Sequence, residues 1–286
     1  MLVPLPRLLE DAEKGGYAVI APDFLSVHML RLELEVAETL KAPVIMSYPS
    51  LPVDRFRRFK AWARKLLRIC ENAGVPVCLH LDHGKSVKAC LKAIDAGFTS
   101  VMIDGSAHPF EENLSMTKTV VAAAREKGVY VEAEIGHVGT GQALVKRGPG
   151  TSLMTDPEEA GRFVRMTGVD CLAVSVGTVH GNYRGKPEID FHRLQQIKSE
   201  VPVPLVLHGG SGTGEENLRE AVKTGIRKIN LFTEFLTPYI QETMACYRRN
   251  PFRLVFPGGK KDRQKTAIQP VLEKYFRISR SLGRAG

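Results

Sequence analysis

Residues 75–104 read VPVCLHLDHGKSVKACLKAIDAGFTSVMID, and the order of the apolar runs in this stretch decides the fold. The run 76–81 is short and nearly continuously apolar, as a strand buried on both faces should be. A helical pattern follows at about 86–96, Gly97 closes it, and 99–103 is a second short strand run. Strand, helix and strand with short connections make a parallel crossover unit.

The same alternation extends in both directions. Strand runs fall at 17–21, 43–48, 76–81, 99–103, 129–134, 170–176, 204–208 and 226–231. Helical patterns lie between and after them, at about 27–41, 54–73, 86–96, 111–127, 156–167, 191–199, 215–224 and 234–247. Asp156-Pro157-Glu158-Glu159 is a helix start, with an acid at the N-cap and Pro at the first position. Gly74, Gly97, Gly128 and Gly225 stand where helices are expected to close with a left-handed residue. Length alone allows two domains, but eight strand-helix units in strict alternation specify one α/β domain, a (β/α)8 TIM barrel. The barrel is expected over 1–250. Residues 251–286 are expected to form a basic C-terminal helical extension, with its helical pattern at about 266–281, packed on the barrel or on a neighbouring subunit. The Gly-rich connection 136–154 after the fifth strand is long enough to be a functional loop.

Composition narrows the classes. With 43% apolar and 25% charged residues the chain is globular, and neither disordered nor fibrous. No apolar run reaches the ~18 residues of a membrane span, and the first residues lack the pattern of a signal peptide. Five cysteines without a C-x-x-C pair suit free thiols in a reduced cytosol. A soluble cytoplasmic protein without a membrane partner is expected. The net charge of +9 invites a nucleic-acid reading, but residues 247–286 hold eleven Lys or Arg against two acids and so account for all of it. No nucleic-acid partner is expected, because the tail lacks aromatic interleaving or a recognised binding module.

The chemistry collects at the carboxyl ends of the strands, where the loops of a barrel build its site. His80 and His83 follow the third strand, His180 the sixth, and His208 ends the seventh; Asp82, Asp104, Glu132 and Glu134 arrive at the same rim. Three neutral imidazoles around an open fourth position make a catalytic zinc site, a Lewis acid for a carbonyl. His83, His180 and His208 are the expected ligands. His80, three positions from His83 in an extended segment, is expected on the other face, in packing or in support of the ligands. The turns His180-Gly181-Asn182-Tyr183 and His208-Gly209-Gly210-Ser211-Gly212 leave bare backbone beside two of those histidines, as a phosphate site requires.

Leu79-His80-Leu81-Asp82-His83-Gly84, Asp104-Gly105-Ser106 with Pro109-Phe110-Glu111-Glu112-Asn113, Val131-Glu132-Ala133-Glu134-Ile135-Gly136, Val179-His180-Gly181-Asn182-Tyr183 and Leu207-His208-Gly209-Gly210-Ser211-Gly212 together resemble the zinc-dependent class II aldolases. The resemblance spans essentially residues 5–286. Tagatose-1,6-bisphosphate, fructose-1,6-bisphosphate and inositol-catabolism aldolases match best in length and spacing. It implies an aldehyde-lyase of carbohydrate metabolism that cleaves a ketose phosphate into dihydroxyacetone phosphate and an aldehyde, and runs the reverse condensation. It implies Zn2+ on His83, His180 and His208, with a monovalent cation as an accompanying ion. Asp82 is then the acid/base for the hydroxyl at the cleaved bond. Gly181, Gly209, Gly210, Ser211, Asn230, Leu231, Phe232 and Thr233 are the dihydroxyacetone phosphate contacts. Asp104 and Glu134 match positions linked in some members to a second or displaced metal. A homodimer or homotetramer is implied, with the basic tail near a subunit contact or lending a cation from Arg277 or Arg280.

Three departures qualify the resemblance. The family places a glutamate in the mobile loop, where it exchanges the proton at the dihydroxyacetone phosphate carbon. That position is Gln142 here, and no acid occurs between Glu134 and Asp156. An amide cannot take the proton, and loss of a general acid/base costs about 10²- to 10⁴-fold. The family favours Phe-Asn after the first strand, where this chain has Pro22-Asp23, and Phe232 stands where some members place a polar phosphate contact. Two readings stay open: an aldolase of a ketose (bis)phosphate, or an altered homologue. The latter would act on a different acidic sugar phosphate, met by Lys146 and Arg147 of the loop, or bind metal and ligand without catalysis. His137 is a further candidate for the missing proton carrier.

Overall fold

Eight strands, β1 (Val19–Pro22), β2 (Val44–Pro49), β3 (Val77–Gly84), β4 (Ser100–Ile103), β5 (Tyr130–Ile135), β6 (Cys171–Val174), β7 (Leu205–Leu207) and β8 (Ile226–Leu231), pair in chain order, all parallel. The register Val19↔Lys228 and Ala21↔Asn230 joins β8 to β1 and closes the (β/α)8 barrel. The structure is a computed structural model that describes residues 1–50, 53, 56–139, 154–181, 183, 187–249 and 263–286. Gln142, Lys146, Arg147 and Asn182 lie outside the described residues.

The pleat sorts each strand into two cores. Leu79 and Leu81 of β3, Val101 and Ile103 of β4, and Leu205 and Leu207 of β7 face outward into the layer shared with the helices. Their neighbours Cys78, Met102 and Val206 face inward with Val19, Ala21, Ile45, Cys171 and Ala173. That inner cluster includes Leu5, Leu8, Leu9 and Ala12 of a helix at Leu5–Gly15 (α1), which therefore plugs the amino end of the barrel. The strand-helix alternation does not anticipate α1; its apolar residues recur at i, i+3, i+4 and i+7.

The outer helices are α2 (Val27–Thr39), α3 (Phe59–Glu71), α4 (Val87–Ala96), α5 (Phe110–Arg125), α6 (Pro157–Thr167), α7 (Phe191–Glu200), α8 (Glu215–Thr224), α9 (Thr233–Arg249) and α10 (Arg263–Ile278). Asp156 accepts from the Glu159 amide at 2.9 Å, as its N-cap position requires. Gly97 and Gly225 close their helices at positive φ. Gly74 does not: α3 ends at Glu71 with Asn72 as its cap, and the Gly74 amide donates instead to Glu38 at 2.8 Å. α3 also starts at Phe59, later than the pattern from 54 suggests.

The tail is not a free basic arm. Ile268, Leu272, Tyr275, Phe276 and Ile278 of α10 are buried in the outer core, where the helix packs against α2 and α9. Arg277 pairs with Glu273 on the helix surface and Arg280 is exposed. Among the described residues no helix is long and apolar enough to cross a membrane.

Candidate active site

The inward face of β3 carries Cys78, His80 and Asp82 in period two, rising from the apolar floor to the carboxyl end. Strict alternation would then turn His83 outward. It does not, because His83 takes a left-handed backbone (φ 46) at an irregularity in the β3–β4 register between Leu81 and Gly84. The expectation that His80 faces away from the site is therefore corrected. His80 is fully buried inside the barrel, its Nδ1 2.9 Å from Ser100 Oγ and its Nε2 3.3 Å from Lys228 Nζ.

At the mouth the three expected ligands meet. His83 Nε2 lies 3.1 Å from His180 Nε2 and 3.0 Å from His208 Nδ1. The far nitrogen of each ring faces a group that only accepts: Asp104 Oδ2 for His83 (2.9 Å), the Val138 carbonyl for His180 (2.9 Å) and Glu132 Oε1 for His208 (2.8 Å). Each far nitrogen therefore carries the proton, which leaves three lone pairs converging on one point. Burial, with His83 alongside, pushes His180 down to about 4 and His208 well below the usual histidine range. Burial opposes a charge on His83 too, but Asp82 and Asp104 hold it up at about 9. Two of the rings are thus kept neutral, the ligating form, and a divalent cation would take the place of the proton on the third. The donor set fits a metal ion.

Acids and cations support the ring cluster from below and from the side. Lys228 Nζ, fully buried, bonds Glu132 Oε2 at 2.6 Å; burial alone would lower the ammonium, but Glu132 and Asp82 hold it above its ordinary value. Sequence reasoning missed Lys228, although period two from Asn230 places it inside the barrel. Asp104 and Glu134 form a second cluster with His83. The Lys85 ammonium already sits on Asp104 Oδ2, and with His83 it holds that carboxyl below the usual range against its burial. Burial and neighbouring Asp104 raise Glu134 to about 8. Ser106 bridges Asp104 to His137, 2.7 Å and 2.9 Å away.

Seven of the eight expected dihydroxyacetone phosphate contacts, Gly181, Gly209, Ser211, Asn230, Leu231, Phe232 and Thr233, line one cavity of about 260 Å³ with Asp82, His83 and His180. Gly210 is not among them; its amide donates to the Asn230 carbonyl at 3.1 Å. Two tyrosines fix the glycine turn. Tyr183 donates to the Gly209 carbonyl at 3.0 Å, and Tyr275 of α10 bonds Glu234 and sits 3.3 Å from the Gly212 amide. Lys274 also reaches Glu234 at 2.8 Å.

Gly209 cannot carry a side chain. Its φ is +68, and an added Cβ would stand 2.4 Å from the Val179 carbonyl oxygen. Gly209→Ala is expected to shift the turn at a cost of about 1–3 kcal/mol. Calorimetric titration should then show dihydroxyacetone phosphate affinity reduced roughly tenfold or more, with the unfolding midpoint as the control for global damage.

A TIM barrel with three converging imidazoles, a neighbouring carboxylate and a glycine-lined cavity at its carboxyl end has the donor set of a metal-site enzyme. The class II fructose-bisphosphate aldolase family matches residues 3–284. The chain is 40% identical over 264 residues to a fructose-bisphosphate aldolase of Geobacillus stearothermophilus, covering 90% of this chain and 91% of that one. It is 42% identical over 277 residues to a 6-phospho-5-dehydro-2-deoxy-D-gluconate aldolase of Shouchella clausii, covering 94% and 87%. The crystal structure of the YdjI aldolase from Escherichia coli K12 superposes with a TM-score of 0.86 at 31% identity over the whole of both chains. The chain belongs to the class II fructose-bisphosphate aldolase family and is an aldehyde-lyase.

Proposed function

We propose that the protein is a zinc-dependent aldolase that cleaves and forms a ketose phosphate through the enediolate of dihydroxyacetone phosphate. The convergence of three imidazole lone pairs beside Asp82 carries this reading, since three nitrogen ligands with an open position suit zinc. When bound, the metal supplies Lewis-acid polarisation of the carbonyl.

The chain's own residues supply the rest. Asp82 is buried, which by itself would favour the neutral acid, yet His83 and His208 hold it below the usual carboxylate range. It is therefore ionised and able to accept a proton. Asn230 donates to its Oδ1 at 2.8 Å, while Oδ2 lies 3.8 Å from His83 Nε2. The carboxylate is thus oriented with one oxygen at the reacting end of the cavity, where it takes the hydroxyl proton as the carbon-carbon bond breaks. The turns at Gly181, at Gly209 and at Ser211 hold the phosphate with backbone amides and the Ser211 hydroxyl, and Thr233 closes that end.

The substrate is either a ketose bisphosphate or a sugar phosphate with a carboxylate at its far end, such as the 6-phospho-5-dehydro-2-deoxy-D-gluconate of the relatives. Lys146 and Arg147 in the sequence favour the acidic one. The same reading places the enzyme in the cytoplasm as a homodimer or homotetramer. The exposed apolar stripe Ile240, Met244 and Tyr247 on α9 supports the assembly. The test is release of dihydroxyacetone phosphate by the zinc-loaded protein from a panel containing both substrate types. Turnover is expected in the wild type and a marked fall in Asp82→Asn; equal rates in the two would overturn the reading.

A further inference from the structure

Retro-aldol cleavage moves two protons. One leaves the hydroxyl at the breaking bond, and one arrives at the enediolate carbon to complete dihydroxyacetone phosphate. Asp82 serves the first. Among the described residues that line the cavity, Asp82 and Asp23 are the two with carboxyl groups.

Asp23 follows β1 and is clamped there. Its amide donates to the Leu231 carbonyl at 3.0 Å, and it bridges to Ser47 at the end of β2. The residue is 7% exposed, its carboxyl lies within hydrogen-bond reach of that of Asp82, and its Oδ1 has no partner. Two carboxyl groups in hydrogen-bond contact must share a proton, since two carboxylates offer only acceptors. The surroundings decide which one keeps it. Burial and the Asp82 charge raise Asp23 well above the usual carboxylate range, against Lys228. Asp82 already accepts from Asn230 on Oδ1 at 2.8 Å, whereas no donor meets Asp23 Oδ1, so the hydrogen-bond pattern puts the shared proton on Asp23. The resting pair is Asp82 carboxylate with Asp23 carboxylic acid.

We propose that Asp23 is the second proton carrier of the reaction, delivering to the enediolate carbon the equivalent of the proton that Asp82 takes from the hydroxyl. The inference rests on the aldolase reading above. In cleavage Asp82 accepts the hydroxyl proton, the carbon-carbon bond breaks, and its electron pair goes to the enediolate. The enediolate carbon then takes the proton of Asp23, which becomes a carboxylate. The proton now on Asp82 crosses the shared hydrogen bond to Asp23 and restores the resting pair. No external acid enters the balance, and condensation runs the same steps backwards. The chain supplies no Asp or Glu between Glu134 and Asp156 to do this work from the loop.

The experiment follows exchange of the carbon-bound proton of dihydroxyacetone phosphate in D2O by NMR, with the zinc-loaded wild type, Asp23→Asn and Asp23→Ala, and with zinc content measured by elemental analysis. Exchange should fall about 100-fold or more in Asp23→Asn at unchanged zinc content. Added formate should restore part of it in Asp23→Ala, where a carboxylic acid fits the vacated space. Wild-type exchange rates in Asp23→Asn would overturn the inference and leave the aldolase reading standing. If Asp23→Asn loses zinc, the formate experiment decides: restored exchange supports the inference and unrestored exchange overturns it. A wild type that neither exchanges nor cleaves would overturn the aldolase reading instead.

Discussion

A His180→Ala enzyme is expected to lose tight zinc binding and, with it, at least about a thousandfold in cleavage rate, while remaining folded. The three proposed ligands differ in what their loss leaves behind. Without His83 the buried Asp104 carboxylate loses a partner, and without His208 the fully buried Glu132 loses one. His180 spends its far nitrogen on the neutral Val138 carbonyl, so truncation there forfeits one ordinary hydrogen bond, about 0.5–1.5 kcal/mol. Activity falls much further. Lewis-acid stabilisation of the developing charge is worth several kcal/mol, and each 1.36 kcal/mol is tenfold in rate. Zinc per chain by elemental analysis, retro-aldol rate at saturating zinc and the unfolding midpoint together check this. Wild-type turnover with bound zinc would show that His180 is not a ligand.

The barrel was legible because its signal is local and repeated. A strand such as Ser100–Ile103 or Leu205–Leu207 is apolar on both faces, and eight of them separated by amphipathic helices leave few other arrangements. Parity along a strand also reads part of the site, since Glu132 and Glu134, or Lys228 and Asn230, must share a face. It fails where the backbone departs from the pleat. The positive φ of His83 brings a residue of the wrong parity into the mouth, and no residue type near it announces this. What parity cannot give is who meets whom across the closed barrel. Lys228 touches Glu132 from 96 positions away, Asn230 touches Asp82 from 148, and Tyr275 reaches Gly212 from a tail whose charge, rather than its apolar face, draws attention. The glycine turns could be located from their place after strands six and seven, but the spending of the Gly210 amide on Asn230 appears only when β7 and β8 lie side by side.

Lys228→Met tests that cross-barrel network most severely. The ammonium is enclosed between Glu132 and His80, with Cys171 also against the Glu132 carboxylate. Methionine matches its length but leaves Glu132 charged, buried and short of its cation. Breaking a buried pair from one side costs about 3–5 kcal/mol, much of the whole stability of an ordinary domain. Denaturant unfolding is expected to show a loss of that size. Zinc affinity is expected to fall about 10- to 100-fold as well, because Glu132 is the group that orients His208. The double variant Lys228→Met/Glu132→Leu separates the two effects. Removing both charges takes away the uncompensated carboxylate, so stability should recover substantially. His208 still lacks an acceptor for its Nε2 proton, so its Nδ1 lone pair is no longer aimed at the other two rings and zinc affinity should stay low. Recovery of zinc affinity together with stability would mean that the barrel wall alone positions His208, and that the Lys228–Glu132 pair serves the fold without serving the metal.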